Sequence, residues 1–324
     1  MFIEDKLRQI ISVWLACLAL FSFGLGSAYA AQAGKHTSLA LSLDANNRMH
    51  VYLTISGERT VGVIDTAATF PLIHARSLKA PAQVQPNQQV NVLGINGSRL
   101  FDVIEVESLI AGNQTLGPFL AARNDRSDFP GPPNILPASH LKGRVLDFNF
   151  PESRLDIYNA PPARPRFHTT SQFDYVAYDR LPFINVEING VTGKALIDTG
   201  SDTSYINTAF ADAAGLSTLP NSEIQLSGAD GHTLNIRSVT VRRFRLGRFR
   251  YRKFDMLAAD TELFTHLGFA KTPIMVLGLD VLGQYRMQMD RNARQLRLLR
   301  PKNRYLRTQI MPSRIHRGIK SSMQ

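Results

Sequence analysis

The sequence predicts a mostly β protein made of two similar lobes of the six-stranded β-barrel type, with few short helices. Three observations support this prediction. Apolar and polar residues alternate over short runs, and glycine-containing turns separate these runs at close intervals. A short phrase around an Asp-Thr pair occurs twice, 133 positions apart. The segments flanking the phrase also recur in the same order, which indicates an internal repeat.

The repeated phrase reads Leu-Ile-Asp-Thr-Gly-Ser at 196–201 and Val-Ile-Asp-Thr-Ala-Ala at 63–68. An alternating strand, a Gly-containing turn and a second strand precede each copy, which is typical of a β-hairpin. An apolar restart, a glycine-bearing hairpin, an apolar run with a short helix, and a closing strand pair follow each copy. These elements fall at 70–73, 92–97, 135–141 and 144–158 in the first half, and at 204–206, 226–231, 276–282 and 285–299 in the second.

The repeat supplies two carboxylates at equivalent positions, Asp65 and Asp198. One carboxylate cannot act as general acid and general base at the same moment, whereas two that share a proton can do both. Such a pair titrates as a unit and favours activity in acid. The alternative is that both are turn aspartates that cap backbone N–H groups after a strand, which is a common role for Asp.

These motifs resemble the aspartic protease superfamily, and specifically two retropepsin-like units in tandem that imitate the bilobal arrangement of pepsin. The resemblance covers roughly residues 39–160 and 173–300. The second unit matches the family pattern in its Asp-Thr-Gly-Ser loop and in the later Val276-Leu277-Gly278 element. The first unit departs from it twice, because Ala67 replaces the family glycine and Pro137 stands where Gly278 stands in the second unit.

The resemblance implies that Asp65 and Asp198 are the catalytic pair. It also implies four residues that support the pair: Thr66, Thr199, Gly200 and Ser201. The threonines would hydrogen-bond across the interface to the backbone of the opposite loop, and Ser201 would hydrogen-bond to Asp198. Ala68 cannot do the same for Asp65, so the two carboxylates should be inequivalent. Ala67 would cause little strain at negative φ and roughly 1–2 kcal/mol at positive φ.

Two hairpin tips are candidate flaps that close over an extended peptide, because their glycines let the backbone move and approach a substrate. The residues concerned are Gly94 and Asn96 in the first half, and Gly228 and Asp230 in the second. The alternative is that both are ordinary surface hairpins.

The chain divides into five predicted segments: a signal peptide at 1–30, a first lobe at 38–160, a linker at 161–172, a second lobe at 173–300 and a basic tail at 301–324. A basic start, an apolar stretch and Ala28-Tyr29-Ala30 predict a cleaved secretory signal. Export to the periplasm or out of the cell follows, or membrane association if the signal stays uncleaved. The single cysteine, Cys17, lies in this segment, so the mature chain would have neither a disulfide nor a thiol nucleophile.

The formal net charge of +11 predicts attraction to anionic partners. Basic and aromatic residues interleave at 242–254, a pattern that also occurs in nucleic-acid-binding proteins. With a turn at Leu246-Gly247, however, the period of two predicts a hairpin with an apolar buried face and solvated arginines. This hairpin is the preferred interpretation and disfavours nucleic acid as a partner, whereas binding of the basic stretches to an anionic envelope surface is compatible with either interpretation. The eight histidines show no metal-binding spacing, and we expect neither a metal nor an organic cofactor.

Together these observations predict an exported aspartic endopeptidase, active as a monomer on peptide or protein substrates, in which an Asp-Asp dyad activates water. Three alternatives stay open at this point. The chain could be a catalytically dead pepsin-like module that binds a peptide or protein. It could be a homodimer that uses only its second lobe for catalysis. It could also be a basic envelope-surface protein in which the repeat is only a relic of the fold.

Overall fold

The computed structural model describes residues 36–44, 48–79, 84–94, 97–126, 132–218, 224–227 and 233–302. The predicted signal peptide and all but the first two residues of the predicted basic tail lie outside these ranges. Among the described residues, no helix is long and apolar enough to cross a membrane.

The first half of the molecule, residues 36–158, contains thirteen described strands and no described α-helix. The strands are β1 (Thr37–Ala40), β2 (Ser42–Leu43), β3 (Met49–Ile55), β4 (Glu58–Asp65), β5 (Leu72–His74), β6 (Val84–Leu93), β7 (Ser98–Val106), β8 (Leu109–Ala111), β9 (Gln114–Leu116), β10 (Phe119–Asn124), β11 (Asn134–Pro137), β12 (Val145–Asn149) and β13 (Arg154–Tyr158). Short 3₁₀ turns occupy Ala75–Ser77, Ala138–His140 and Phe150–Glu152.

The second half, residues 168–302, contains twelve described strands and three short helices. The strands are β14 (His168–Asp174), β15 (Val176–Tyr178), β16 (Leu181–Ile188), β17 (Val191–Ile197), β18 (Tyr205–Ile206), β19 (Ser217–Thr218), β20 (Ile224–Ser227), β21 (Thr233–Leu246), β22 (Phe249–Ala258), β23 (Ile274–Leu277), β24 (Arg286–Asp290) and β25 (Gln295–Pro301). The helices are α1 (Thr208–Ala213), α2 (Glu262–His266) and α3 (Leu279–Leu282). The prediction of a mostly β fold with few short helices is confirmed.

Each half has its own curled sheet, and the sheet of the second half closes into a barrel. Six of its strands follow the order β16-β17-β23-β18-β22-β21, and a further pairing of β21 with β16 completes the ring. The first half follows the corresponding order β3-β4-β11-β5-β10-β7. There the stretch that corresponds to β21 is divided into two strands, β7 and β8. Strand β3 pairs with β8 rather than with β7. The sheet of the first half is therefore a half-barrel with the same strand order.

A third sheet joins the two halves, in the order β1-β13-β12-β24-β25-β14. Its central seam is the antiparallel pairing of β12 with β24, in which Asp147 lies opposite Gln288. Asp147 is fully buried and accepts two hydrogen bonds of 2.7 Å from the Arg286 guanidinium across the seam. Such bidentate pairing compensates part of the cost of burying the charge. The seam therefore holds the two halves in one relative register.

The C-terminal end of the predicted linker contains a strand. Residues His168–Asp174 form β14, which pairs along its whole length with β25 at the edge of the joining sheet. The proline-rich stretch before it has no periodicity, and local sequence could not reveal a strand that depends on a partner more than 120 residues away.

The predicted hairpin at the basic stretch is confirmed. Strands β21 and β22 pair with Leu246 opposite Phe249. The four apolar residues of its inward face are each no more than 6% exposed: Phe244, Leu246, Phe249 and Tyr251. Aromatic rings in this face pack on one another and on Tyr285, so the hairpin belongs to the core rather than to a loose surface loop.

Candidate active site

Two parallel strand pairs carry the two aspartates to the centre of the molecule. In the first half Asp65 ends β4 and lies in register with Pro137 of β11. In the second half β17 pairs with β23, and the Asp198 N–H donates to the Leu277 carbonyl at 3.1 Å. Each loop therefore leaves the sheet at the same point of its own half. Pro137 and Gly278 occupy equivalent positions, as the sequence comparison predicted.

The loops of the two halves are joined by a reciprocal exchange of hydrogen bonds between Thr66 and Thr199. Each backbone N–H donates to the hydroxyl oxygen of the other threonine at 3.1 Å. Each hydroxyl then donates at 2.7 Å to a backbone carbonyl of the opposite half, Thr66 to Ile197 and Thr199 to Ile64. Both threonines are buried, so four satisfied hydrogen bonds fix the two loops relative to each other.

Backbone N–H groups of its own loop orient each carboxylate. Asp65 Oδ1 accepts from the Ala67 N–H at 2.6 Å. Asp198 Oδ1 accepts from Gly200 at 2.8 Å and from Ser201 at 3.0 Å. The loops thus present their carboxylates in matching ways, although their sequences differ after the threonine.

The Asp65 carboxyl lies directly against the loop of the second half. A Cβ added to Gly200 would stand only 2.6 Å from the carboxyl carbon of Asp65, closer than real Cβ contacts come. Gly200 is therefore required by close approach, since no positive φ is recorded for it. Ala67, at the equivalent place in the first half, also has an ordinary φ, and its methyl group packs on an apolar cluster of the second half. The backbone strain that Ala67 would have at positive φ is therefore absent.

The electrostatics of the site favour protonation of both carboxyl groups relative to water. Burial raises the pKa of Asp65 to about 6, against the lowering effect of the N–H groups of Ala67 and Ala68. Burial also raises the pKa of Asp198 well above its usual value, and the nearby charge of Asp65 raises it further. Because the charge of Asp65 affects the pKa of Asp198, the two carboxyl groups titrate as an interacting pair.

The expected hydrogen bond from the Ser201 side chain to Asp198 is not formed. The Ser201 hydroxyl donates instead to the Thr203 carbonyl at 2.8 Å, and only its backbone N–H reaches the carboxylate. The turn after Asp198 brings this carbonyl closer to the hydroxyl, a local competition that residue identity alone did not reveal. The predicted inequivalence of the two carboxylates therefore does not arise from Ser201.

Sequence reasoning missed a polar support beneath the loop of the second half. The Gly278 N–H donates to the Ser204 hydroxyl at 2.9 Å, and that hydroxyl donates to Asp280 Oδ1 at 2.5 Å. The Val281 N–H also donates to this carboxylate at 2.9 Å. Burial raises the pKa of Asp280 to about 6. The signal in the sequence was Asp280 two residues after Gly278, a carboxylate in an otherwise apolar run.

One candidate flap residue can be placed, and the others cannot. Strands β6 and β7 form the predicted hairpin of the first half, and its tip begins with Gly94, whose N–H donates to the Gly97 carbonyl at 2.9 Å. Strands β20 and β21 form the corresponding hairpin of the second half. Asn96, Gly228 and Asp230 lie outside the described residues, so the flap prediction is untested there.

Within the described ranges, no group of three or more His, Cys, Asp or Glu side chains is arranged to hold a metal ion.

A comparison with protein families finds a match in the second half of the chain. Residues 184–281 match a family described as aspartyl protease. The match begins in β16 and ends in α3, so it contains the Asp198 loop, Gly278 and Asp280. No curated protein matches the chain. The match supports a peptidase of the aspartic type, and it agrees with the barrel topology of the second half. The similarity of residues 184–281 to the aspartyl protease family thus supports a place for this part of the chain in the aspartic protease superfamily.

Proposed function

We propose that this protein is an exported aspartic endopeptidase whose two halves each supply one catalytic carboxylate, Asp65 and Asp198. The observation that carries the proposal is the contact of the Asp65 carboxyl with Gly200, held by the exchange between the two threonines. A first half that served only as scaffold would not need its carboxylate in the loop of the second half. The position of Asp65 thus favours a shared site over a homodimer of second halves.

The mechanism follows from one proton shared by two carboxyl groups. The ionised carboxyl takes a proton from a water molecule, whose oxygen attacks the carbonyl carbon of the scissile amide. The protonated carboxyl gives its proton to the carbonyl oxygen, which produces a tetrahedral diol. Collapse of the diol returns one hydroxyl proton to a carboxylate and breaks the C–N bond, while the other carboxyl protonates the leaving nitrogen. The dyad ends with one proton, as it began.

The substrate in this proposal is an extended peptide segment. The two hairpins β6–β7 and β20–β21 belong to opposite halves. A peptide between them can be held by backbone hydrogen bonds as an added strand. Export rests on the predicted signal at residues 1–30, and N-terminal sequencing of the protein recovered outside the cytoplasm would test it.

The experiment is cleavage of a mixed-peptide substrate between pH 3 and 8 by the wild type, Asp65→Asn and Asp198→Asn. Asp212→Asn is the matched control, because this exposed carboxylate lies on α1, away from the loops. We expect each dyad variant to lose at least about a thousandfold in kcat/KM, since both general acid and general base catalysis fail. The control should keep wild-type activity.

Each of the other outcomes would support one of the alternative functions. Activity that persists in Asp65→Asn but not in Asp198→Asn would move catalysis to a homodimer of second halves. No cleavage by the folded wild type at any pH would leave a peptide-binding module. In that case, a peptide library tested for binding rather than for cleavage gives the next result.

A further inference from the structure

The hairpin β21–β22 has two faces of opposite character. Its inward aromatic and aliphatic side chains are buried in the core, as described above. Its outward face carries four exposed arginines: Arg243, Arg245, Arg250 and Arg252. We call these four residues the arginine ribbon.

The four arginines form two direct cross-strand pairs. Arg243 lies opposite Arg252, and Arg245 lies opposite Arg250. Like charges directly opposite each other on one face of a sheet are destabilising. Within the described part of the chain, only Arg245 of the four has an ion-pair partner, Glu187 at 2.9 Å. Three cations on this face therefore have no ion-pair partner among the described residues.

The turn of the same hairpin borders a polar cleft. The Arg248 N–H donates to the Ser171 hydroxyl at 2.9 Å, which fixes the turn against the edge strand β14. The cleft has a volume of about 670 Å³. Its lining is rich in cations and hydroxyl groups: His168, Thr169, Thr170, Ser171, Gln172, Gly247, Arg248 and Lys302. The cations of the ribbon thus continue around its turn into a concave site.

The basic tail starts at this cleft. Lys302 lines the cleft and is the last described residue of the chain. Residues 301–324 include six Lys or Arg and no Asp or Glu. The first cation of this segment, Lys302, therefore lies at the cleft beside the turn of the ribbon.

We propose that the arginine ribbon, with the cleft at its turn, docks the protein on an anionic lipid bilayer. Guanidinium groups match phosphate oxygens in a planar, bidentate geometry, and several cations on one face add their attraction to a surface of many headgroups. The aromatic residues that interleave with the arginines are buried and cannot stack on bases, which favours lipid over single-stranded nucleic acid.

Docking through the ribbon leaves the candidate active site free. Strand β21 runs from the hairpin with β20, which belongs to the candidate flap, to the turn at Gly247, which belongs to the ribbon. The strand that separates these two ends is 14 residues long. The bilayer would therefore meet the end of β21 that points away from the flap.

The test is sedimentation of the full chain with phosphatidylcholine vesicles, with and without phosphatidylglycerol. The test variant is Arg243→Gln, Arg250→Gln and Arg252→Gln together, which spares the ion pair of Arg245. The matched control replaces three exposed cations of the first half: Arg59→Gln, Arg76→Gln and Lys142→Gln. Both variants lose the same net charge, so only the place of the charge differs.

We expect the test variant to bind anionic vesicles about a hundredfold more weakly than the wild type at low salt, and the control to lose much less. Binding should also fall as salt is raised, because the ribbon is exposed and screened. The thermal midpoint of the test variant should equal or exceed that of the wild type, since like-charge pairs are removed. This readout separates lost binding from lost folding.

Equal binding by the two variants would overturn the proposal, as would equal binding of the wild type to neutral vesicles. Two further experiments identify which phosphate-bearing ligand the site binds. Displacement by inorganic phosphate at low concentration would reduce the site to a small-anion site in the cleft. Tighter binding to a DNA duplex than to vesicles, lost in the test variant, would assign the ribbon to nucleic acid instead.

Discussion

The two aspartate loops reach the same geometry on different supports. Beneath the loop of the second half, Ser204 and Asp280 form a polar network that satisfies the Gly278 N–H. The first half has Pro71 and Pro137 at the equivalent register, both buried. Proline has no N–H to satisfy, so an apolar contact can replace the network there.

The comparison shows which features of the site depend on exact residue identity. The threonine exchange is the same on both sides, and the backbone N–H groups hold each carboxylate alike. The residue after the threonine differs, because Gly200 faces the Asp65 carboxyl while Ala67 packs on apolar side chains. The degenerate motif of the first half is therefore compatible with a working loop.

The largest effect on activity is expected at the residue after the threonine, where the two loops differ. Gly200→Ala should lower kcat/KM by about a thousandfold, because its methyl group would displace the Asp65 carboxyl from the shared site. The matched variant Ala67→Gly should stay within about threefold of the wild type, since it only removes a methyl group. Steady-state kinetics of both variants on one peptide substrate measures the two values of kcat/KM. Equal losses would show that the two positions are equivalent after all.

The threonine exchange gives the next largest effect, and here the halves should behave alike. Thr199→Val leaves the Thr66 N–H and the Ile64 carbonyl without their buried partner, at a cost of about 2–4 kcal/mol in the free energy of unfolding. Thr199→Ser keeps the hydroxyl and should cost about 1 kcal/mol. Urea denaturation measures both. A valine variant as stable as the serine variant would mean that the exchange adds nothing to stability.

A smaller effect is expected from Asp280, which has no carboxylate counterpart in the first half. Its folded pKa of about 6 lies above the unfolded value of 3.8, so burial favours its protonated form. Its contribution to stability is therefore fully present below pH 3.8 and is lost as pH rises through 6. Asp280→Asn should remove about 1–2 kcal/mol of the decline in unfolding free energy between pH 4 and 7. Asp212→Asn is the control, and an unchanged decline in Asp280→Asn would contradict the assignment.

Much of the fold was predictable because it depends on local patterns. In the hairpins β3–β4 and β16–β17, neighbouring strands pair across turns that contain Gly57 and Gly190 at positive φ. Helix α1 spans Thr208–Ala213, and it begins after the N-cap Asn207, a residue type that favours this position. Such signals involve neighbours in sequence, so no knowledge of the tertiary structure is needed to see them.

The features that sequence reasoning missed depend on partners distant in the chain. Strand β14 exists because β25 offers an edge to pair with. The Ser201 hydroxyl is an exception, because it donates to a carbonyl only two residues further along the chain. In the first half a strand is divided into β7 and β8, whereas the corresponding stretch of the second half is the single strand β21. None of these choices is encoded by propensity alone.

The central claim is that one site in each chain uses a carboxylate from each half. Calorimetric titration with a peptide analogue that carries a secondary hydroxyl at the scissile carbonyl tests it most directly, because that hydroxyl binds between the two carboxyl groups. We expect one analogue per chain, with binding lost in both Asp65→Asn and Asp198→Asn. One analogue per two chains, or binding unaffected by Asp65→Asn, would contradict the shared site.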